Sequence, residues 1–222
     1  VTINENTTTS EGGVYLGIYQ PSALANAAVV ASSDVPGTSL KFGNSPIVFN
    51  AGIGSATLGS ISGAAKLVLT EYNASTHAYG ANSIALTVGG NNSSTTYSGI
   101  ISGGGSLTKS GTGTMTLSGV STYTGNTIIS NGTLLVNSPG SLGNTTVAVK
   151  TNATLGGSGG IAGAVTVEAG GTLAPGASGI GALTNGSLTL NSGATAAMEI
   201  GDGPTGDKAV ATGAVVYGGT LR

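Results

Sequence analysis

Short apolar segments recur along this chain at intervals close to twenty residues. Leu86 is followed by Leu107, and Leu134 by Leu155 and then Leu173, each after about 20 residues. A near-constant interval of this size indicates structural units that stack, each in contact only with the units before and after it. The sequence therefore predicts a thin, repetitive core rather than one globular centre.

The recurring segments have the pattern of half-buried strands, because they alternate apolar with polar or small residues. They are LVL from Leu67, IALTV from Ile84, MTL from Met115, VAV from Val147, VTV from Val165 and LTL from Leu188. A triplet of a small residue, Thr and Leu also recurs, starting at Gly132, Ala153, Gly171 and Gly219. Gly and Asn occur throughout and tolerate the positive φ that a tight corner requires.

These features predict an all-β fold, a parallel β-solenoid with coils of about 18–23 residues and aliphatic side chains pointing inward at every second position. A β-sandwich is the alternative, but it would be expected to show larger core residues and no constant interval. The chain has no Trp and only two Phe, so the solenoid is preferred. Residues 21–33, PSALANAAVVASS, are consistent with one short helix or with strands built from small residues.

Charge and cysteine content exclude several function classes. Only 6 % of the residues are charged, and the net charge is -2. The basic residues are scattered singly, at Lys41, Lys66, Lys109, Lys150, Lys208 and Arg222. Phosphate recognition needs clustered Lys and Arg, so nucleic acid is not an expected partner. Without cysteine we expect no disulfide and no thiolate metal site, and without a run of about 18 apolar residues we expect no transmembrane helix.

The few residues able to do chemistry are dispersed. His77 is the one histidine and lies in NASTHAYG, a turn-like segment, so a surface or corner position is expected. Glu199, Asp202 and Asp207 lie close together in EIGDGPTGD, and paired carboxylates serve glycosidases or bind calcium. The turn formers around Asp202 favour a solvated loop between two coils instead. We therefore predict no catalytic residue, no cofactor-binding residue and no metal site.

Two tyrosines near the start of the chain are a candidate binding surface. If VYLGIYQ, residues 14–20, forms a strand, Tyr15 and Tyr19 share one face of it. Aromatic rings flanked by polar residues stack on sugars or fill a partner's pocket. Packing of both rings against a neighbouring coil is the simpler interpretation, and we favour it.

The segment from Tyr97 to Asn137, YSGIISGGGSLTKSGTGTMTLSGVSTYTGNTIISNGTLLVN, has a more specific pattern. Its SGIISGGGSLTKSGTG lead, MTLSG strand, YTGNTII segment and closing GTLLVN resemble the autotransporter-associated β-strand repeat. This is the passenger-associated transport repeat of bacterial autotransporter-type proteins. GSGGIAGAVTVEAGGTLAPGASG, residues 157–179, resembles the usual continuation of these passengers. A weaker earlier copy is predicted over residues 63–76, where alignment of GAAKLVLTEYNAST with GTGTMTLSGVSTYT pairs Leu67 with Met115.

The resemblance covers residues 40–222 and is strongest over residues 97–200. Residues 1–39 are left as an N-terminal segment that forms either a cap or the first coils. The resemblance implies a right-handed parallel β-helix on the outside of a bacterial cell, in a family whose repeat is associated with export and folding of the passenger. The expected localisation is therefore extracellular or on the bacterial outer cell surface.

From fold and resemblance together, we expect a non-catalytic structural β-solenoid, an element of a surface stalk or fibre. AVVYGGTLR, from Ala214, indicates another strand and corner without a polar cap, so we expect self-association through the solenoid ends or further repeats, including end-to-end stacking into filaments. The alternative is an adhesin passenger module that binds surface glycans or a host or matrix partner. A polysaccharide lyase or hydrolase is disfavoured, because such enzymes line one face with several charged residues.

Overall fold

The computed structural model describes residues 16–18, 24–31, 47–73, 75–176, 179–201 and 205–222. All regular elements in these ranges are β-strands, and they contain no helix, which confirms the predicted all-β class. No helical segment with the length and hydrophobicity needed to cross a membrane occurs in the described ranges.

The strands are short, and most have two to five residues. In chain order they are β1 (Leu16–Ile18), β2 (Leu24–Ala31), β3 (Ile47–Asn50), β4 (Ser55–Gly63), β5 (Leu67–Asn73), β6 (Ala78–Ser83), β7 (Ala85–Val88), β8 (Thr95–Tyr97), β9 (Ile101–Ser102), β10 (Ser106–Lys109), β11 (Thr114–Leu117), β12 (Val120–Ser121), β13 (Thr127–Ile129), β14 (Gly132–Val136), β15 (Ser141–Leu142), β16 (Val147–Val149), β17 (Ala153–Gly157), β18 (Gly160–Val167), β19 (Thr172–Pro175), β20 (Ala182–Leu190), β21 (Thr195–Ala196), β22 (Lys208–Ala211), β23 (Val215–Tyr217) and β24 (Thr220–Leu221).

The strands stack into a β-solenoid with about 8 turns. It has three faces, and the strands within each face run parallel to one another. Face 1 contains β1, β3, β5, β9, β12, β15, the first parts of β18 and β20, and β22. Face 2 contains the first part of β4, then β7, β10, β13, β16, the last parts of β18 and β20, and β23. Face 3 contains the last parts of β2 and β4, then β8, β11, β14, β17, β19, β21 and β24. The predicted parallel solenoid is therefore confirmed.

Aliphatic side chains fill the interior in columns that receive one residue from each coil. On face 3, Met115, Leu134, Leu155 and Leu173 form one such column, and each is buried. The threonine before each leucine is only partly buried and is in register with the threonine of the next coil. Burial of a Leu side chain contributes roughly 1.5–3 kcal/mol, and each coil obtains that burial from its two neighbours.

Coil length follows directly from the register partners on face 2. In the central part of the chain, successive partners along one column are Val88, Lys109, Ile129, Val149, Val167 and Leu190. The spacing of these partners confirms the predicted coil length for this part of the chain. The steps from Leu58 to Val88 and from Leu190 to Tyr217 are both longer than the predicted range. In the first of these steps the chain leaves the stack to form the antiparallel pair of β5 and β6, whereas the strands of face 2 continue in parallel register.

Two predictions of detail are resolved by the strand register. Of residues 21–33 the structure describes 24–31, which form β2 and pair with β4, with Val29 in register with Ile61, so the helical alternative is wrong for these residues. The predicted repeat copy over residues 63–76 is also wrong, because Leu67 pairs with Ile101 on face 1 while Met115 pairs with Thr95 on face 3. All three faces have the same two-residue alternation, so alternation alone cannot assign a strand to a face.

Candidate functional site

One β-hairpin leaves the coil, and it is the candidate binding element of the described chain. Its strands β5 and β6 are the only antiparallel pair among the named strands. β5 starts on face 1, where Leu67 pairs with Ile101 of the following coil, and the chain returns to face 2 at β7. All six residues of β6 are exposed, so the hairpin presents a surface that no regular coil has.

The turn of this hairpin is built by local polar contacts. The Asn73 side-chain oxygen accepts hydrogen bonds from the main-chain N–H groups of Ser75 and Thr76, at 2.9 and 3.2 Å. His77 completes the turn with φ of 52°, a conformation that few residues other than Gly and Asn adopt readily. Its Nδ1 lies 3.4 Å from the Tyr72 hydroxyl. His77 is thus exposed in a turn, where the sequence places it.

Two aromatic rings from opposite strands of the hairpin pack against each other. The ring centroids of Tyr72 and Tyr79 are 5.4 Å apart, and the ring planes meet at 64°. This is the edge-to-face arrangement that the aromatic quadrupole favours. Tyr72 is buried, whereas Tyr79 is 47 % exposed. The pair therefore offers one accessible ring on a preformed support.

A carboxylate attaches the hairpin to the body of the solenoid. Glu71 Oε2 accepts a hydrogen bond from the Asn82 side chain at 2.9 Å, and Oε1 accepts one from the Gly54 N–H at 3.2 Å. The Asn82 bond, followed by the main-chain bonds from Gly52 and Gly54, lowers the pKa of Glu71. The carboxylate thereby joins β5, β6 and the turn that precedes β4.

The interior contains one lysine that sequence reasoning counted only as a scattered cation. Lys109 is fully buried and lies in the face 2 column between Val88 and Ile129. Its ammonium donates hydrogen bonds to the main-chain oxygens of Ser110, Gly111 and Asn131, at 2.6, 2.9 and 3.3 Å. Burial lowers the pKa of Lys109. Lys109 lies two residues after buried Leu107 on the same strand, and alternate residues of a strand share a face. This spacing was the signal in the sequence that Lys109 points inward.

A second polar group inside the coils is made of hydroxyls. The Tyr123 hydroxyl lies 2.6 Å from Thr127 Oγ1, which lies 3.0 Å from Thr145 Oγ1. Thr145 in turn donates to the Gly125 carbonyl at 2.5 Å. Burial raises the pKa of Tyr123 well above its usual value. Because these buried hydroxyls bond one another across two coils, they hold coil register without being accessible to a ligand.

In the part of the acidic segment near residue 200 that the structure describes, a carboxylate makes hydrogen bonds that hold the main chain. Asp207 accepts main-chain hydrogen bonds through both carboxylate oxygens, from Gly181 at 2.9 Å and from Glu199 at 2.8 Å. The Glu199 side chain is exposed. Asp202, like Tyr15 and Tyr19, lies outside the described residues. No cluster of three or more His, Cys, Asp or Glu suited to a metal ion occurs in the described ranges.

Two comparisons of the sequence with known proteins give matches within the coils. The passenger-associated-transport-repeat family matches residues 107–136, which span β10 to β14 and include Lys109 and the Tyr123–Thr127 contact. Over 107 residues the chain is 34 % identical to the adhesin BmaC autotransporter of Brucella suis biovar 1 (strain 1330). That alignment covers 45 % of this chain and only 3 % of the length of the relative. The resemblance to an autotransporter passenger repeat is therefore confirmed.

Proposed function

We propose that this chain, a β-solenoid that carries a passenger-associated transport repeat, is a non-catalytic length of an extracellular stalk or fibre on a bacterial surface. The observation that carries the proposal is the parallel pairing of strands from coil to coil, which runs through every described coil on faces 2 and 3. Each coil adds a rise of about 4.8 Å, so a chain with more repeats forms a longer rod. A stalk of this kind holds a binding element away from the cell.

The polar groups of the described coils support a structural role. Lys109 is occupied by three main-chain oxygens, and Asp207 by two main-chain N–H groups. Lys150 and Glu168 pair with each other at 2.5 Å on the outer surface, where an ion pair contributes little. Side chains committed to their own backbone or to each other are poor candidates for acid–base or nucleophilic catalysis.

End-to-end stacking into filaments is the finer part of the proposal. The inward positions of the last described coil carry apolar side chains that are more than half exposed: Val215 at 57 %, Tyr217 at 52 % and Leu221 at 65 %. A further coil, from the same or another molecule, would cover them and extend the strand pairing. Exposed apolar side chains next to open strand edges favour this type of contact.

Electron microscopy of the purified chain at low and high concentration tests the stacking. We expect rods that lengthen with concentration, and a Val215→Asp/Leu221→Asp variant that stays short. Val120→Asp is the matched control, because Val120 is 51 % exposed on the side of the solenoid. Short particles of a single length at every concentration would exclude filaments while leaving the stalk function intact.

The hairpin supports a second function, that of an adhesin passenger module. The name of the Brucella relative contains the word adhesin, and Tyr79 offers an accessible ring on the exposed strand β6. Aromatic rings of this kind stack on sugars. A glycan array gives the test: saturable binding that Tyr79→Ala abolishes and Val120→Ala preserves would favour adhesion, whereas binding unchanged by Tyr79→Ala would remove the hairpin from this role.

A further inference from the structure

The corner between β13 and β14 contains an Asn–Gly step in an unusual arrangement. The Gly132 main-chain N–H donates a hydrogen bond to the side-chain oxygen of Asn131, the preceding residue, at 2.7 Å. Gly132 has φ of 64°, and a Cβ there would meet the Gly111 carbonyl oxygen at 2.5 Å, so only glycine fits. The Asn131 side chain is exposed. The main-chain nitrogen and the side-chain amide are thus held together where water has access.

The buried lysine acts on the same peptide group. Lys109 Nζ donates to the main-chain oxygen of Asn131 at 3.3 Å, and that oxygen belongs to the amide whose nitrogen is Gly132. A cation on an amide oxygen draws electron density from the nitrogen and makes its N–H more acidic. A more acidic N–H supplies more of the anionic nitrogen, which is the form that attacks a carbonyl carbon.

We propose that Asn131 is a self-modification site that converts through a succinimide. The Gly132 nitrogen loses its proton and forms a bond to Asn131 Cγ, the Cγ–Nδ2 bond breaks, and Nδ2 leaves as ammonia with that proton. Water then opens one of the two imide C–N bonds, which gives either aspartate or isoaspartate. Proximity of nucleophile and carbonyl supplies most of the advantage, and the ammonium stabilises the anionic nitrogen.

The chain contains a second Asn–Gly step, Asn185–Gly186, which serves as an internal control for Asn131–Gly132. Asn185 is only 5 % exposed, and its side-chain nitrogen donates to the Ser187 carbonyl at 3.2 Å. A Cβ on Gly186 would meet the Ala162 carbonyl oxygen at 2.4 Å, so the neighbouring coil packs directly on this peptide. We expect Asn185 to be protected in the folded chain, where attack would require the coil to open.

Conversion at Asn131 changes the coil in two ways. Either product adds a negative charge on the outer surface. Isoaspartate also adds a carbon atom to the main chain immediately before β14, where Gly132 and Thr133 are in register with Ala153 and Thr154. Because each coil is stabilised by its neighbours, we expect the isoaspartate form to lose stability locally between two coils.

Peptide mapping by mass spectrometry after incubation at neutral pH and 37 °C tests the proposal. Trypsin cuts after Lys109, Lys150 and Lys208, so Asn131 and Asn185 fall in different peptides. We expect Asn131 to convert at least about threefold faster in the folded chain than in the same chain unfolded in guanidinium chloride. Asn185 is expected to convert more slowly in the folded chain than in the unfolded chain. A rate at Asn131 that is equal or slower in the folded chain overturns the proposal.

Lys109→Met tests the role of the ammonium, with Lys66→Met, at an exposed lysine, as the surface control that keeps the cut after Lys150. We expect Lys109→Met to bring Asn131 conversion down to the rate of the unfolded chain or below, and Lys66→Met to leave it unchanged. An undiminished rate in a folded Lys109→Met chain would remove the lysine from the mechanism and overturn that step. If the variant does not fold, the comparison of folded and unfolded wild-type chain still decides whether the corner promotes the reaction.

Discussion

The regular coils of residues 88–190 and the lengthened coils on either side of them satisfy their main-chain polar groups differently. In the regular coils the strands of faces 2 and 3 pair with strands of the coils before and after them, and a buried lysine donates to three main-chain oxygens at the corners. Where the chain leaves the coil, a carboxylate takes this role: Glu71 accepts from Gly54, and Asp207 accepts from Gly181 and Glu199. In both regions, main-chain groups close to the points where strand pairing stops form hydrogen bonds with side chains.

The comparison shows what a strict period requires. A coil of constant length brings glycine corners directly against the coil beneath, with no space for a side chain, as at Gly125. A lengthened coil tolerates added residues, because they lie outside the stack and need only an anchor. We therefore expect substitutions to disturb the fold less in the hairpin coil than in the regular coils.

The largest effect is expected from deleting part of a regular coil. Removing residues 130–149, one whole coil because Ile129 and Val149 are register partners, should leave a shorter solenoid that still unfolds cooperatively. Removing only residues 130–139 should prevent folding, since it places residues of one face on another. Circular dichroism and urea unfolding measure both. Equal behaviour of the two deletions would contradict coil-by-coil stacking as the source of stability.

Glycine substitutions compare the two regions directly. A Cβ at Gly125 would lie 2.3 Å from the Gly105 carbonyl oxygen, whereas one at Gly80, in the hairpin strand β6, would lie 3.8 Å from the Glu71 carbonyl oxygen, an ordinary contact. We expect Gly125→Ala to lower the free energy of unfolding by about 3 kcal/mol and Gly80→Ala to change it by less than about 0.5 kcal/mol. Chemical denaturation gives both values. A tolerated Gly125→Ala would show that the coils can separate at this corner at little cost.

Lys109→Met is expected to have an intermediate effect on stability. It leaves the oxygens of Ser110, Gly111 and Asn131 without their donor, and an unsatisfied acceptor costs about 1–3 kcal/mol. Loss of a buried charge offsets part of this cost, so we expect a net loss of about 2 kcal/mol. Lys150→Met, which removes only an exposed ion pair, should cost less than about 1 kcal/mol. An equal loss of stability in the two variants would mean that water replaces the Lys109 ammonium as hydrogen-bond donor to these oxygens.

The smallest effect concerns the hairpin anchor and depends on pH. Hydrogen bonds to its carboxylate hold the folded-state pKa of Glu71 below the ordinary value of 4.5. Its contribution to stability is therefore present at neutral pH and is lost as the pH falls below about 4.5 through the folded-state pKa. We expect Glu71→Gln to have a melting temperature that changes less than wild type between pH 6 and pH 3. An identical acid dependence would remove Glu71 as a stabilising anchor.

Sequence reasoning reached the fold but not the interior chemistry. The Leu134, Leu155 and Leu173 interval predicted a column that the register confirms, because a period in sequence becomes a stack when each coil closes on the same axis. Lys109 was missed, since burial of a lysine is unusual and its three acceptors come from two different coils. The hairpin was missed as well, because β5 begins with the same apolar pattern as any coil strand.

By itself, the sequence determined the class of structure: a period near twenty residues, small and aliphatic residues and few charges permit a parallel stack and little else. Only the tertiary structure decided which strand belongs to which face, that Lys109 lies inside, and that β6 leaves the coil. The physical reason is that alternation is a local property, identical on every face. Partners for Lys109 and the course of β6 depend on groups that become neighbours only after the coils have stacked.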